Sequence, residues 1–240
     1  MHKIALNPEV VASAIERRGV RHAFADLDPR RTALLVVDLQ CAYLDEKLDN
    51  TFCRHALDIV PNVNRIAQAL REASGVVVWI QNTATEESLT SWSNYNYRIM
   101  TAARRNRRFE GVREGSPGHA IWPGLDVQPG DLKVKKTRYS AFIPGSSNLE
   151  PQLRQRNIDT LIVTGTGTGT CVESTARDAM MLNFATIMVS DATACSSDEE
   201  HNASLTAFYR NFGDVITADE VVGYIAGAGE SRKAAAGGQR

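Results

Sequence analysis

Thr160–Cys171 reads TLIVTGTGTGTC. Its first half is short and apolar on both faces, which suits a strand covered by helices on each side better than one open to water. Its second half alternates glycine with threonine and delivers Cys171 to the head of a helical stretch, Val172–Asn183. Strand, tight turn and helix in that order form the repeating unit of a parallel α/β sheet.

The same alternation extends in both directions. Thr32–Asp38 (TALLVVD), Gly75–Gln81 (GVVVWIQ), Leu132–Lys135, Thr186–Ser190 and Asp214–Ile216 read as further buried strands, and Arg54–Ala73, Leu149–Arg156 and Asp198–Asn211 as helices. Ile59, Val63, Ile66, Ala67 and Leu70 recur at the three and four spacing of one buried helix face. The expected fold is therefore α/β, with a mostly parallel six-stranded sheet between helical layers. Residues 1–24 read as an N-terminal helix and arm, with Val10, Val11 and Ala14 as its apolar stripe. The main domain is expected over 25–229, followed by a small, polar tail over 230–240 without fixed structure. Thr83–Gln128 shows no clear period and reads as a long irregular insertion after a strand end, the usual place of a substrate loop or an interface.

Composition excludes several classes. The chain has 240 residues, 43% hydrophobic and 23% charged, as ordinary folded domains have. With 27 Lys plus Arg against 28 Asp plus Glu, the net charge of -1 offers no general attraction to nucleic acid or an anionic membrane. Apolar runs such as Ala33–Val37 and Val76–Ile80 fall far short of the roughly 20 residues of a membrane-spanning helix. The N-terminus lacks the apolar core and cleavage site of a secretory signal, so a cytoplasmic location is expected. Cys41, Cys53, Cys171 and Cys195 include no CxxC pair and are expected as free thiols.

Ligands of parallel sheets bind beyond the carboxyl ends of the strands. Three reactive residues fall there: Asp38 after the first strand, Lys136 after the third, and Cys171 past the fourth. A free cysteine is usually a small buried hydrophobe. At a helix N-terminus, however, unpaired amides lower a thiol pKa and can also cradle an oxyanion, and Gly165, Gly167 and Gly169 let main chain approach a ligand. Phosphate binding is the weaker reading, since GTGTGTC matches neither GxGxxG nor GxxxxGK[ST]. Asp38 alone would pass for a turn cap and Lys136 for a solvated lysine. Together, a carboxylate can take the thiol proton while an ammonium stabilises the thiolate.

RTALLVVDLQ with Asp38, KTRYSAF with Lys136 and VTGTGTGTCVESTARDAMMLNF with Cys171 resemble the three motif blocks of the isochorismatase-like cysteine hydrolases. The resemblance runs from about Arg31 to Gly223. It implies a Rossmann-like three-layer α/β/α fold, Asp38 as general base, Lys136 as its charge partner and Cys171 as nucleophile. It also implies a cis peptide between Thr166 and Gly167, and an oxyanion hole from the Gly167 and Cys171 N–H groups. The CVESTxRDA block is similar to the ureidoacrylate and N-carbamoylsarcosine amidohydrolase branch. That branch implies hydrolysis of a carbon–nitrogen bond in a small amide, ureido or N-carbamoyl compound through a thioester, with water and the small-molecule substrate as partners and neither nucleic acid nor membrane.

No cofactor and no metal are expected, because His2, His22, His55, His119 and His201 show no ligand spacing. After Asp38 the run is Leu39, Gln40, Cys41, Ala42, Tyr43, where family members often carry an acidic or Asn-Asp pair, so the pocket floor is expected to differ. Asn82, Trp92 and Tyr139 are candidate substrate contacts. Cys41 reads as a packed thiol near the site, Cys53 and Cys195 as structural. Tyr95, Tyr97 and Arg104–Arg108 (RRNRR) offer aromatic faces and cations suited to a planar anion, although such runs are more often solvated faces. A homodimer or homotetramer is expected, with Met180, Met181 and Phe184 supplying apolar contact. Two alternatives stand: hydrolysis of a bulkier or cyclic amide, as in streptothricin hydrolase, and a non-catalytic binding scaffold.

Overall fold

The computed structural model describes residues 1–48 and 50–237. Six strands form one all-parallel sheet: β1 (Thr32–Val37), β2 (Val76–Asn82), β3 (Leu132–Lys136), β4 (Thr160–Thr166), β5 (Ala185–Ala194) and β6 (Asp214–Ile216), in the order β3-β2-β1-β4-β5-β6. In chain order the helices are α1 (Pro8–Arg18), α2 (Cys41–Leu44), α3 (Arg54–Asp58), α4 (Val60–Glu72), α5 (Glu86–Ser91), α6 (Ala102–Val112), α7 (Leu149–Gln155), α8 (Glu173–Met181), α9 (Asp198–Asn211) and α10 (Ala218–Gly237).

Strand alternation splits the core in two. Ala33, Leu35 and Val37 of β1 join one apolar cluster with Leu149 and Leu153 of α7, Ala176 of α8 and Leu205 of α9. Leu34 and Val36 face the opposite cluster, with Val63, Ile66 and Leu70 of α4 and Val221 of α10. Both faces are thus covered, which is why the strands read as nearly continuous apolar runs. The strand order reverses direction between β1 and β4, so the crevice for a ligand opens beyond their carboxyl ends.

The elements differ from the sequence expectations in four places. Arg54–Ala73 is two helices, because Pro61 lacks an N–H and starts a new first turn in α4. The insertion holds two helices, α5 behind a Thr85–Ser88 capping box and α6 capped by Thr101. Strand β5 runs four residues past Ser190 to Ala194, through a register shift opposite Val163 and Gly165. Helix α10 extends to Gly237, where Ala234, Ala235 and Ala236 favour helix, into the stretch expected as a tail; residues 238–240 lie outside the described residues. In the N-terminal arm Ala14 is buried, whereas Val10 and Val11 are only half-buried.

Candidate active site

Gly165 fixes the junction of β1 and β4. Its φ of 114° lies in the region other residues resist, and a Cβ there would stand 2.0 Å from the Val37 carbonyl oxygen. The chain can therefore pass β1 at closest approach and turn through a cis Thr166–Gly167 peptide into the short π-helical turn Thr168–Val172 that leads into α8. Cys171 lies in that turn, buried. Across the crevice, Asp38 leaves β1 with a left-handed φ of 56°, a conformation aspartate tolerates better than most residues.

These two residues meet Lys136 at the end of β3. The Lys136 ammonium donates to Asp38 Oδ2 at 2.8 Å, to the Arg138 carbonyl at 3.1 Å and to Cys171 Sγ at 3.3 Å. All three ammonium protons are thus used by a side chain with no exposed surface. Burial works to lower this ammonium, but the charge of Asp38 and the contact with Cys171 outweigh it and hold it above its ordinary value. Asp38 Oδ1 is buried without a hydrogen-bond partner. Asp38 also acts on the Cys171 thiol, both by its charge and as a hydrogen-bond partner.

The structure corrects the expected acidity of this thiol. Burial pushes Cys171 up to about 12, the Asp38 charge adds to the push, and Lys136 only opposes it. A helix N-terminus lowers a thiol pKa where the thiol is solvated. Here Cys171 precedes α8 and is enclosed beside a carboxylate. The resting arrangement is accordingly a neutral thiol against an ammonium–carboxylate pair, able to move one proton from sulfur to Asp38.

Above the three residues opens a cavity of ≈ 690 Å³. Gly167 and Thr170 line its floor with Asp38 and Cys171, and Asn82, Tyr95 and Tyr139 line its sides. Asn82 and Tyr139, expected as substrate contacts, are thus on the wall. Trp92 is not: it stands behind it, stacked on Tyr95 at 4.0 Å and edge-on to Tyr139 at 5.1 Å. Tyr139 donates to the Tyr95 hydroxyl at 2.8 Å.

Several lining residues escaped the sequence reading. Tyr43 accepts from Asn82 Nδ2 at 2.6 Å, and burial together with the nearby Asp38 charge pushes its phenol up. Gln40 stands behind both, pinning the ends of β1 and β2 by accepting from the Asn82 N–H at 2.8 Å and donating to its carbonyl at 3.1 Å. The polar DxQ run was the available clue. Cys53 and Cys195, read as structural, line the cavity, while Cys41, placed near the site, does not. The long β5 carries Cys195 to the strand-end rim, where its carbonyl accepts from the Cys53 thiol at 3.3 Å.

The fold also gathers histidines that lie far apart in sequence. The His2 ring stacks on His201 at 4.2 Å and lies 4.1 Å from His55, and His2, His201 and Cys195 are close enough to share an ion. Both ring nitrogens of His2 and His201 are already hydrogen-bonded, His2 to Asp198 and the Cys195 N–H, His201 to Thr168 and the Ser190 carbonyl. The cluster serves as a strap: it ties the N-terminal arm to α9 and to the Gly-rich turn. Phe184, expected on a subunit surface, is buried against Phe142, whereas Met181 is exposed.

Comparison with known proteins agrees with this architecture. The family model "Isochorismatase domain" matches residues 32–220. A ureidoacrylate amidohydrolase of Agrobacterium fabrum is 32% identical over 216 residues, 84% of this chain and 93% of that protein. An uncharacterized isochorismatase family protein of Bacillus subtilis is 30% identical over 81% of this chain and 94% of its own. Among solved structures, a cysteine hydrolase from Pseudomonas syringae pv. phaseolicola superposes with a TM-score of 0.72 at 27% identity, covering 85% of this chain and 96% of that one.

Proposed function

The chain belongs to the isochorismatase family, and we propose that it hydrolyses a carbon–nitrogen bond of a small ureido, N-carbamoyl or amide compound with Cys171 as nucleophile. The contact of Lys136 with both Asp38 and Cys171, at the floor of a cavity beyond three strand ends, carries this reading. The amidohydrolase named among its relatives supports the bond type.

In the proposed reaction Asp38 takes the thiol proton as Cys171 sulfur attacks the carbonyl carbon. The carbonyl electron pair moves to oxygen, and the Gly167 and Cys171 N–H groups receive that oxyanion. Collapse breaks the C–N bond, and Asp38 returns its proton to the departing nitrogen. Water, deprotonated by the same carboxylate, then attacks the thioester and frees the thiol. Lys136 holds the Asp38 carboxylate in place through its 2.8 Å hydrogen bond. No cofactor enters any step. The same proposal takes the active form as a cytoplasmic homodimer or homotetramer, checked by sedimentation; among the described residues no helix is long and apolar enough to cross a membrane.

The test is ammonia release from a panel of ureido acids, N-carbamoyl amino acids and primary amides, with a Cys171→Ala control. Release from a ureido or carbamoyl member that vanishes in Cys171→Ala supports the proposal. Undiminished release by Cys171→Ala, or none from any member, overturns it.

A further inference from the structure

The insertion supplies one side of the cavity and brings positive charge to it. Helix α6 contributes Arg104, Arg107 and Arg108 to the lining, and the described acids facing them are Asp38, already paired with Lys136, and Glu200 on the opposite rim. Arg108 is the informative member. Among the described residues it makes no ion pair, and its one hydrogen bond is a long one, 3.4 Å to Asn82 Oδ1. A half-buried guanidinium with five donors in a fixed fork and a single weak acceptor is poised for a flat, two-oxygen anion.

Its position is held from behind. The Arg108 guanidinium carbon lies 5.6 Å from the Tyr95 ring centre and 5.9 Å from that of Trp92, within cation–π range of both. Arg138 lies 5.3 Å from the same indole and donates to Ser91 Oγ at 2.9 Å. Towards the cavity, the charge of Arg108 reaches the Tyr43 and Tyr139 phenols, where it opposes the upward push of burial on both. The guanidinium thus addresses the same space as Asp38 and Cys171, with Asn82 as the bridge between α6 and the strand ends.

We propose that Arg108 is a specificity residue that binds a carboxylate on the substrate, so that the compound hydrolysed is a ureido or carbamoyl acid, presented with its acid group on α6 and its C–N bond at Cys171. The inference rests on the proposed hydrolysis and adds the second, anionic end of the substrate. Arg108 forms the bidentate pair, Arg104 on the same helix adds positive charge, and Tyr95 with Tyr139 offers flat faces to a conjugated or planar linker.

The experiment pairs 3-ureidoacrylate and N-carbamoylglycine with their methyl esters. These carry the same scissile bond without the negative charge. Charge-assisted hydrogen bonds predict that wild type prefers acid over ester and that Arg108→Gln shrinks the ratio of kcat/KM values about 10- to 100-fold, mainly through KM, with Arg108→Lys falling between. Calorimetric binding of the same pairs to Cys171→Ala protein gives a readout that needs no turnover. Tighter binding of the acids, lost on adding Arg108→Gln, supports the assignment. Equal handling of acid and ester by wild type, or an Arg108→Gln loss of the same size for both, overturns it while leaving the hydrolytic proposal intact. Failure of all turnover with acid-selective binding retained would overturn the hydrolysis and not the anion site.

Discussion

Asp38→Asn gives the sharpest separation of proton transfer from thiol ionisation. The Cys171 thiol stands at about 12, five units above a working pH of 7. Only about one molecule in 10⁵ then carries a thiolate unaided, a deficit of about 7 kcal/mol. A positioned base removes most of that cost during attack, and such bases are typically worth about 10²- to 10⁴-fold. The asparagine keeps the shape and cannot accept the proton, so ammonia release should fall by about that factor. Yet the Asp38 charge is itself one of the causes that raise the thiol, whereas Lys136, still 3.3 Å from the sulfur, lowers it. In Asp38→Asn the thiol pKa should therefore drop and iodoacetamide should alkylate Cys171 faster at neutral pH, even as hydrolysis slows. The assay is the pH profile of alkylation of the Cys171 peptide by mass spectrometry, run beside the hydrolysis rate. A wild-type thiol that titrates near neutrality, or a variant that loses alkylation and hydrolysis together, would refute the argument.

Lys136→Met should leave the Asp38 carboxylate buried and uncompensated, costing about 3–5 kcal/mol in urea unfolding; a loss under about 1 kcal/mol would show that water already screens the pair. Gly165→Ala places a methyl group against the Val37 carbonyl at a φ of 114°, and should yield insoluble protein or a melting temperature at least several degrees lower; a wild-type melting curve would contradict the packing. Burial, with His2 beside it, holds the His201 imidazole down at about 4 against an ordinary 6.5, so the unfolded chain binds a proton that the fold refuses. Stability should be full above about pH 6.5 and fall by roughly 3 kcal/mol as the pH drops to about 4. His201→Gln should flatten that fall, and identical pH slopes in the two proteins would exclude His201 as its source.

The strands and the floor of the site were legible because local pattern and topology agree. TALLVVD and TLIVTG are apolar on both faces, and residues just past such strands must share the carboxyl edge of a parallel sheet, which brings Asp38, Lys136 and Cys171 together from three distant segments. The side walls were legible only in part: Asn82 and Tyr139 could be named from their places after β2 and β3, but the helix carrying the arginines could not. Helix α6 is polar nearly all round, with only Val112 fully buried, so it leaves no apolar stripe to read. The histidine strap depends on the arm crossing α9, a contact between residues almost 200 positions apart. The thiol pKa was misjudged because helix position is visible in sequence and enclosure is not.

The two halves of the cavity consequently divide the work. Every proton of the Lys136 ammonium is committed at the floor, and the floor is nearly neutral as a unit, so the reacting centre offers little net attraction to a substrate. Binding energy must come from groups that have capacity left, and Arg108, with one weak acceptor, is such a group. An interaction made at a remote end of the substrate holds its carbonyl over the protonated sulfur, an effect read chiefly in KM. The sheet, with its fixed register, suits chemistry that tolerates no displacement. The insertion is tied to the strand ends by hydrogen bonds such as that from Gln81 Nε2 to the His119 carbonyl, but it carries its arginines on α6 and its aromatics between α5 and α6. These side chains can change without disturbing that register, and so the insertion is the part that sets which molecule is cut.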